Sequence, residues 1–253
     1  MPLVATPAVV LSAIRYGETS KIVRLATRDH GVQSAIAKGA LRPRSRFGAA
    51  LQVLSAGQAH ILLSERRDLH TLTAFDVSRV PVELAGDLDR YAVAAALAEI
   101  MVHFAPAEPH ATSFDLLQQS LALLESAPHE ALGVLGLRLL WRLVSVLGFA
   151  PSLGACVRDG APVATEGPLP FSSDEGGALC AGCARETSVT RLPAGDRADL
   201  EALVSAEADL PELDARHTAA HRRLLGRYVR YHLGEGATLP ALEFWQSSSW
   251  GRP

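Results

Sequence analysis

Three cysteines and a run of arginines are the residues of this chain with chemistry to offer. Cys180-Ala181-Gly182-Cys183 is a Cys-x-x-Cys knuckle on a glycine-rich turn, and the third cysteine lies upstream in Cys156-Val157-Arg158-Asp159. Tetrahedral Zn²⁺ takes four S, N or O ligands, and two such knuckles supply them with the right geometry. Here the second position of the first pair is Asp159, not cysteine. Three readings stay open. Asp159 is a fourth, oxygen ligand; water or a more distant group completes the set; or the metal is lost and hydrogen bonds hold the loop. A carboxylate in place of a thiolate weakens a soft site. A redox role would put the knuckle at a strand–helix junction of a βαβ unit, and no such unit is visible.

The arginines cluster in Ala35–Phe47, where a strand ends at Lys38-Gly39 and a loop follows with Arg42, Arg44 and Arg46 at alternate positions. In an extended loop that spacing sets three guanidinium groups on one side, which suits a run of phosphates. Ser45 adds a neutral donor. Glycine at 39 lets a backbone come close to a nucleic acid, or simply serves the turn. The plain alternative is a solvated loop kept soluble by charge. Charge distribution favours binding. Residues 1–80 hold eleven Lys/Arg and five Asp/Glu, a formal +6, whereas the rest hold thirteen and twenty-two, a formal −9; the whole-chain −3 hides the split. A basic module fused to an acidic body points to a polyanionic partner. The candidate contacts in that module are Arg15, Lys21, Lys38, Arg42, Arg44 and Arg46.

The basic module reads as short strands: Ala8–Tyr16, Lys21–Arg28, Val32–Ala37, Leu51–Glu65 and Leu69–Asp76, punctuated by Gly17, Asp29-His30-Gly31, Gly39 and Arg66-Arg67-Asp68. Leu51–Glu65 is long for one strand, so a turn or bulge is expected at Ser55-Ala56-Gly57. Five or six short strands predict a closed barrel or small sandwich over 1–80. After Pro81 the period becomes helical. Helices are expected over Asp87–Phe104, Ser113–Ser126 (with Ser113 as cap), Glu130–Leu147, Asp196–Ala208, Leu213–Leu233 and Pro240–Gln246. Gly148 and Pro151 form a stop signal. The helical body 81–253 is interrupted at 154–191 by an aperiodic insertion holding every cysteine, and a loop that long has its own structural reason.

Other signals are weaker. His217 and His221 stand four apart, but Thr218 occupies the place of a metalloprotease glutamate, so a polar helix face is the expectation. Gly234-Glu235-Gly236 reads as a helix C-cap, without the strand or third glycine of a dinucleotide loop. No Gly-x-Ser-x-Gly elbow, phosphate-cradling Gly-x4-Gly-Lys or framed carboxylate pair is present, and a non-enzymatic protein is expected. Met1–Val10 lacks a basic n-region. The apolar stretch Ala131–Ala150 carries Arg138 and Arg142 on one helix face, which fits a half-buried helix better than a membrane span. A cytoplasmic protein is expected.

Taken together, Arg15-Tyr16-Gly17-Glu18-Thr19, Ala26-Thr27-Arg28-Asp29-His30-Gly31, Ala37-Lys38-Gly39-Ala40, Arg44-Ser45-Arg46-Phe47-Gly48 and Leu51-Gln52 resemble, in order and spacing, the amino-terminal domain of the RecO family of recombination mediators. Leu147-Gly148-Phe149-Ala150-Pro151, Phe171 and Gly176-Gly177-Ala178-Leu179-Cys180 extend the resemblance over most of the chain; the last forty or so residues carry little of it.

The resemblance implies an α+β chain: an N-terminal OB-fold β-barrel, then an all-helical domain with an irregular zinc-finger-like insertion. It also implies binding of single- and double-stranded DNA, annealing of complementary strands, and loading of recombinase onto DNA coated by single-strand-binding protein. RecR and that coating protein would be the partners, in the bacterial cytoplasm at the nucleoid. Asp159 departs from the cysteine many members carry, and leaves zinc open. The barrel's few aromatics, Tyr16, Phe47 and Phe75, favour backbone electrostatics over base stacking. Two other classes compete. One is an RNA-binding or ribosome-associated OB protein. The other is a metal-dependent nucleic-acid enzyme, for which Glu186 is a poorly spaced general base.

Overall fold

A single long strand closes the first part of the molecule. In the computed structural model, which describes residues 2–48, 50–64, 66–233 and 238–247, β1 runs over Leu3–Tyr16. Its first half pairs with β4 (Ala56–Leu62), from Leu3↔Leu62 to Val9↔Ala56. Its second half pairs with β2 (Ser20–Thr27), from Ala8↔Thr27 to Tyr16↔Ser20. A register shift between Val10 and Ser12 bends the strand where it changes partner, as a bulge does. With β3 (Gly31–Ala37) and β5 (Leu69–Arg79) the order is β1-β2-β3-β5-β4, a closed five-stranded barrel of OB type.

The barrel differs in detail from the sequence reading. β1 begins five residues early, at Leu3, and carries Pro7 within its ladder, opposite Gln58. The expected strand Leu51–Glu65 is only Ala56–Leu62; Glu65 lies outside the described residues. Leu51 and Leu54 are apolar because they are buried in a turn, not because they alternate in a strand. That turn is tied to β1 in both directions, Leu54 N–H to Val10 O at 2.7 Å and Val10 N–H to Ser55 O at 2.9 Å. The expected irregularity at Ser55-Ala56-Gly57 is the start of β4, and the β4–β5 register shifts at Ala56/Gly57.

Three helices follow: α1 (Val82–Gly86), α2 (Leu88–Phe104) and α3 (Ala111–Ser126). The Asp87 side chain caps α2 by accepting from the Asp89 and Arg90 amides. Ser113 is not the cap of α3. It lies buried within the first turn, and His110 precedes the helix, its Nδ1 accepting from the Ser113 amide. The barrel ends where the period changes at Pro81, but the compact unit extends to Ser126. The reason is that these helices find their partners on the barrel. Arg24 donates to Val102 O, Arg28 forms a forked pair with Asp115 (3.0 and 3.1 Å), and Arg79 reaches Glu125. Gly31 (φ +67°) lets the α2–α3 connection press on β3; a Cβ there would stand 2.2 Å from Glu108 O. Val32 N–H donates to Pro106 O at that contact.

The second unit spans Ala127 onward. α4 (Leu132–Val144) runs into a π turn at Ser145–Phe149, ended by Gly148 at φ +96°. The stretch 129–149 is the one segment among the described residues long and apolar enough to cross a membrane, yet half of it is buried. Arg138 within it donates to the carbonyls of Ala202, Ala208 and Asp209. α5 (Ala194–Val204), α6 (Ala215–Leu233) and α7 (Pro240–Ser247) complete the helices; Gly234-Glu235-Gly236 lies outside the described residues. The insertion is not aperiodic throughout. β6 (Leu169–Ser172), β7 (Gly177–Ala178) and β8 (Thr190–Leu192) form a sheet in the order β7-β6-β8. Strands of two to four residues are too short to leave a period in the sequence. Tyr228 of α6 anchors this sheet. Its ring lies 5.1 Å from Trp141 and 6.2 Å from Phe171, and its hydroxyl donates to Phe149 O and Gly176 O.

Two tests follow from the barrel. Gly31→Ala should cost more than about 2 kcal/mol in chemical unfolding, since it meets backbone and adopts a left-handed conformation. The second concerns the β3–β5 seam, where only three residue pairs close the barrel in parallel. His70 bridges it, Nε2–H donating to Gln33 Oε1 (2.7 Å) and Nδ1 accepting from the Ser64 amide (3.0 Å). Burial lowers the His70 pKa below its ordinary 6.5. The unfolded chain therefore binds this proton more readily, and the stability held above that value is lost as pH falls through it. Wild type should lose more unfolding free energy than His70→Asn between about pH 7.5 and 5.5; equal losses would contradict this role.

Candidate nucleic-acid interface and metal centre

The loop after β3 owes its shape to apolar anchors. Ala40, Phe47 and Leu51 are buried in the barrel core with Val10, Val23, Leu25, Ile61 and Leu72. Between these anchors the chain makes successive tight turns: Arg42 N–H to Gly39 O, Ser45 N–H to Arg42 O, Gly48 N–H to Ser45 O and Ala50 N–H to Phe47 O. The loop is therefore not extended, and Arg42, Arg44 and Arg46 are not aligned by a two-residue period. All three are nonetheless exposed, because the residues that turn inward are the apolar ones. Gly39 has φ +72°, so the turn itself requires glycine, while its missing Cβ faces only the flexible Arg42 side chain at 3.5 Å. The Ser45 hydroxyl accepts from the Phe47 amide at 3.2 Å and keeps its proton for another partner.

Register brings the other candidate cations to the same end of the barrel. Arg15 is paired with Lys21 across β1 and β2, Lys21 with Ala37 across β2 and β3, and Lys38 follows directly. Leu41 N–H donates to Thr19 O, tying the loop to the β1–β2 hairpin. Lys21 Nζ donates to Leu51 O at 3.3 Å, and the Arg46 guanidinium lies 5.3 Å from the Phe47 ring. Among the described residues none of Arg15, Lys21, Lys38, Arg42, Arg44 and Arg46 has a carboxylate partner. Arg24, Arg28 and Arg79 are instead engaged by α2 and α3. Arg66 and Arg67 lie in the β4–β5 loop, beside the Leu3–Leu62 pair at the far end of β1. The sequence does not mark Arg24, Arg28 and Arg79 as engaged, since the helix residues they meet lie far along the chain. Of the three barrel aromatics, Phe47 and Phe75 are buried and Tyr16 is exposed.

The cysteine insertion gathers its four candidates. One donor atom each from Cys156, Asp159, Cys180 and Cys183 lies within 4.8 Å of all the others. The Asp159 carboxylate is aimed by its own turn: Oδ1 accepts from the Ala161 amide at 3.0 Å, leaving Oδ2 at 3.4 Å from both the Cys180 and Cys183 Sγ atoms. A tetrahedral zinc with ordinary bond lengths sets sulfur and oxygen ligands about 3.5 Å apart, so the spacing fits. The Cys183 amide points at Cys180 Sγ (3.5 Å), and Ala184 N–H donates to Cys180 O, the local fold of a knuckle. Arg158 stitches the loop together with a forked pair to Glu175 and a bond to Glu186. The Ala161 amide, then the thiols, hold the Asp159 carboxyl down at about 2. Cys183 is pushed up to about 12, by its hydrogen bond with Cys180 first and then by burial and Asp159. Clustered anionic donors disfavour a second charge, and a cation placed among them reverses that. The four residues could hold a metal ion.

His217 and His221 do not form a merely polar face. His217 is exposed, but His221 is buried between helices.

The N-terminal model of recombination protein O matches residues 1–80, and its C-terminal model matches residues 85–239. The DNA repair protein RecO of Anaeromyxobacter dehalogenans (strain 2CP-C) is 38% identical over 240 residues, covering 92% of this chain and 93% of that protein. RecO of Rubrobacter xylanophilus is 33% identical over 235 residues, with 92% of each chain covered. RecO of Bifidobacterium animalis subsp. lactis is 32% identical over 238 residues, covering 92% and 95%. With both halves matched in order, this chain belongs to the RecO family of DNA repair proteins.

Proposed function

We propose that the protein is a non-catalytic recombination mediator that binds single- and double-stranded DNA through its barrel, anneals complementary strands and helps load recombinase onto DNA coated by single-strand-binding protein. Family membership places it in DNA repair and recombination. The observation that carries the finer reading is the set of six cations at one end of the barrel, none with a carboxylate partner among the described residues. Such groups neutralise phosphates and release counterions, whatever the sequence. With two of the three aromatics buried, the strand is gripped by its backbone and its base faces stay free to pair. RecR and the single-strand-binding protein are the partners this reading assigns, at the bacterial nucleoid.

We also propose zinc as the ion of the insertion, held by Cys156, Asp159, Cys180 and Cys183. It would act as a structural crosslink between the turn at Cys156–Asp159 and the knuckle at Cys180–Cys183. The three thiolates and one carboxylate leave no coordination position for a substrate.

Annealing of two complementary oligonucleotides, followed against salt, tests the first reading. Combined Arg42→Ala, Arg44→Ala and Arg46→Ala should weaken binding at low salt and flatten the slope of log K against log salt by about 2–3. An unchanged slope sinks the proposal. For the metal, Asp159→Cys supplies a softer ligand on a turn that already aims its side chain at the two sulfurs. The variant should carry more zinc per chain than wild type and melt at a higher temperature. Negligible zinc in both, by elemental analysis of parallel preparations, would count against the site.

A further inference from the structure

The second unit holds a further donor cluster, made only of nitrogen and oxygen. Asp196 and Asp199 stand three apart on α5, and His217 and His221 stand four apart on α6, so each pair shares a helix face. One donor atom each from Asp196, Asp199 and His221 lies within 4.8 Å of the other two. His221 is 2% exposed, and neither of its ring nitrogens has a hydrogen-bond partner among the described residues. A buried imidazole has a proton to donate and a lone pair to fill, and both are ordinarily satisfied. Asp199 also has no ion-pair partner among the described residues.

His217 is arranged like an oriented ligand at the edge of this cluster. Its Nδ1 is held by Asp214 Oδ1 at 2.8 Å, while Asp214 also accepts from the His217 amide. That fixes the ring and leaves Nε2 3.9 Å from Asp196 Oδ1, too far for a hydrogen bond. A carboxylate behind one imidazole nitrogen is the usual support for a metal at the other. Zinc bonds to N and O of about 2.0–2.2 Å place ligand atoms about 3.3 Å apart in a tetrahedron, so small side-chain rotations close the set.

We propose that Asp196, Asp199 and His221, with His217 as the outer fourth donor, bind a divalent transition-metal ion such as Zn²⁺, pinning α5 to α6. Two imidazoles with two carboxylates favour zinc-like ions over Mg²⁺ or Ca²⁺, which prefer oxygen alone. A neutral imidazole is the form that ligates a metal, and His221 is buried with both ring nitrogens unpartnered among the described residues. The site differs from the cysteine centre in having no sulfur, which makes the two separable by spectroscopy.

Co²⁺ is the probe. Metal-free full-length protein, titrated with Co²⁺, should bind an equivalent whose visible d–d bands come without thiolate-to-cobalt charge transfer. The difference spectrum between wild type and Asp199→Asn should isolate that equivalent, with affinity for it reduced at least about tenfold. His221→Gln should lose it as well, and Cys180→Ser should keep it while losing the charge-transfer band. Asp199 is only partly buried, so its isosteric variant decides the matter even where a His221 substitution disturbs folding. Identical stoichiometry and spectra for wild type and Asp199→Asn would overturn the proposal, leaving a bridging water as the filler of the cluster. So would a cobalt spectrum that disappears entirely with Cys180→Ser.

Discussion

Barrel closure through β1 is the constraint on which the N-terminal unit depends. One strand must pair with β4 along its first half and β2 along its second, and it bends at Leu11 to do so. That arrangement separates the barrel's ends by the length of β1. The β1–β2 hairpin and the loop after β3 meet at one end; the β4–β5 loop lies beside the start of the strand. The turn at Leu51–Ser55 is hydrogen-bonded to Val10 at the bend, so the same feature that closes the barrel fixes the end of the basic loop.

Electrostatics then sorts the cations. Other arginines of the barrel are engaged by the helices that follow it: Arg28 by Asp115, Arg79 by Glu125, Arg24 by a helix carbonyl. Those at the hairpin end form no ion pair among the described residues, although Glu18 lies in the hairpin itself. Exposed ion pairs contribute little to stability, so the sorting matters less for folding than for what is left accessible. Ala40, Phe47 and Leu51 hold the loop by burying apolar surface, which frees its arginines from any structural duty beyond the Arg46–Phe47 stack. A similar economy operates in the insertion. Arg158 and Tyr228 hold its parts in place, and backbone bonds such as Cys156 N–H to Ala161 O and Val157 N–H to Ala178 O bring the donor atoms of the three cysteines and Asp159 together.

Much of this was legible in the residues. Strand periodicity, the switch at Pro81 and the Cys-x-x-Cys knuckle each carry a local signal, and the RecO-like order of short motifs joins them. What escaped is nonlocal. Nothing near Arg24 or Arg28 in sequence reveals the helix that engages it. Leu51 and Leu54 mimic strand residues because burial, not secondary structure, selects their type. Alternate arginines suggested an extended loop because turns of Arg, Pro and Ser leave no periodic mark. Asp196 and Asp199, whose donor atoms lie near that of the buried His221, stand on another helix, so a spacing of four looked like surface polarity.

The proposal to test first is that position, not net charge, suits the hairpin end to DNA. Charge reversal with matched controls tests it directly. Arg15→Glu with Arg44→Glu, and Arg66→Glu with Arg67→Glu, change the net charge equally at opposite ends of β1. Affinity for a single-stranded oligonucleotide at fixed low salt should fall at least about tenfold for the first pair and far less for the second. Equal losses would mean that the protein responds only to its overall charge, and would contradict the assignment of the barrel end.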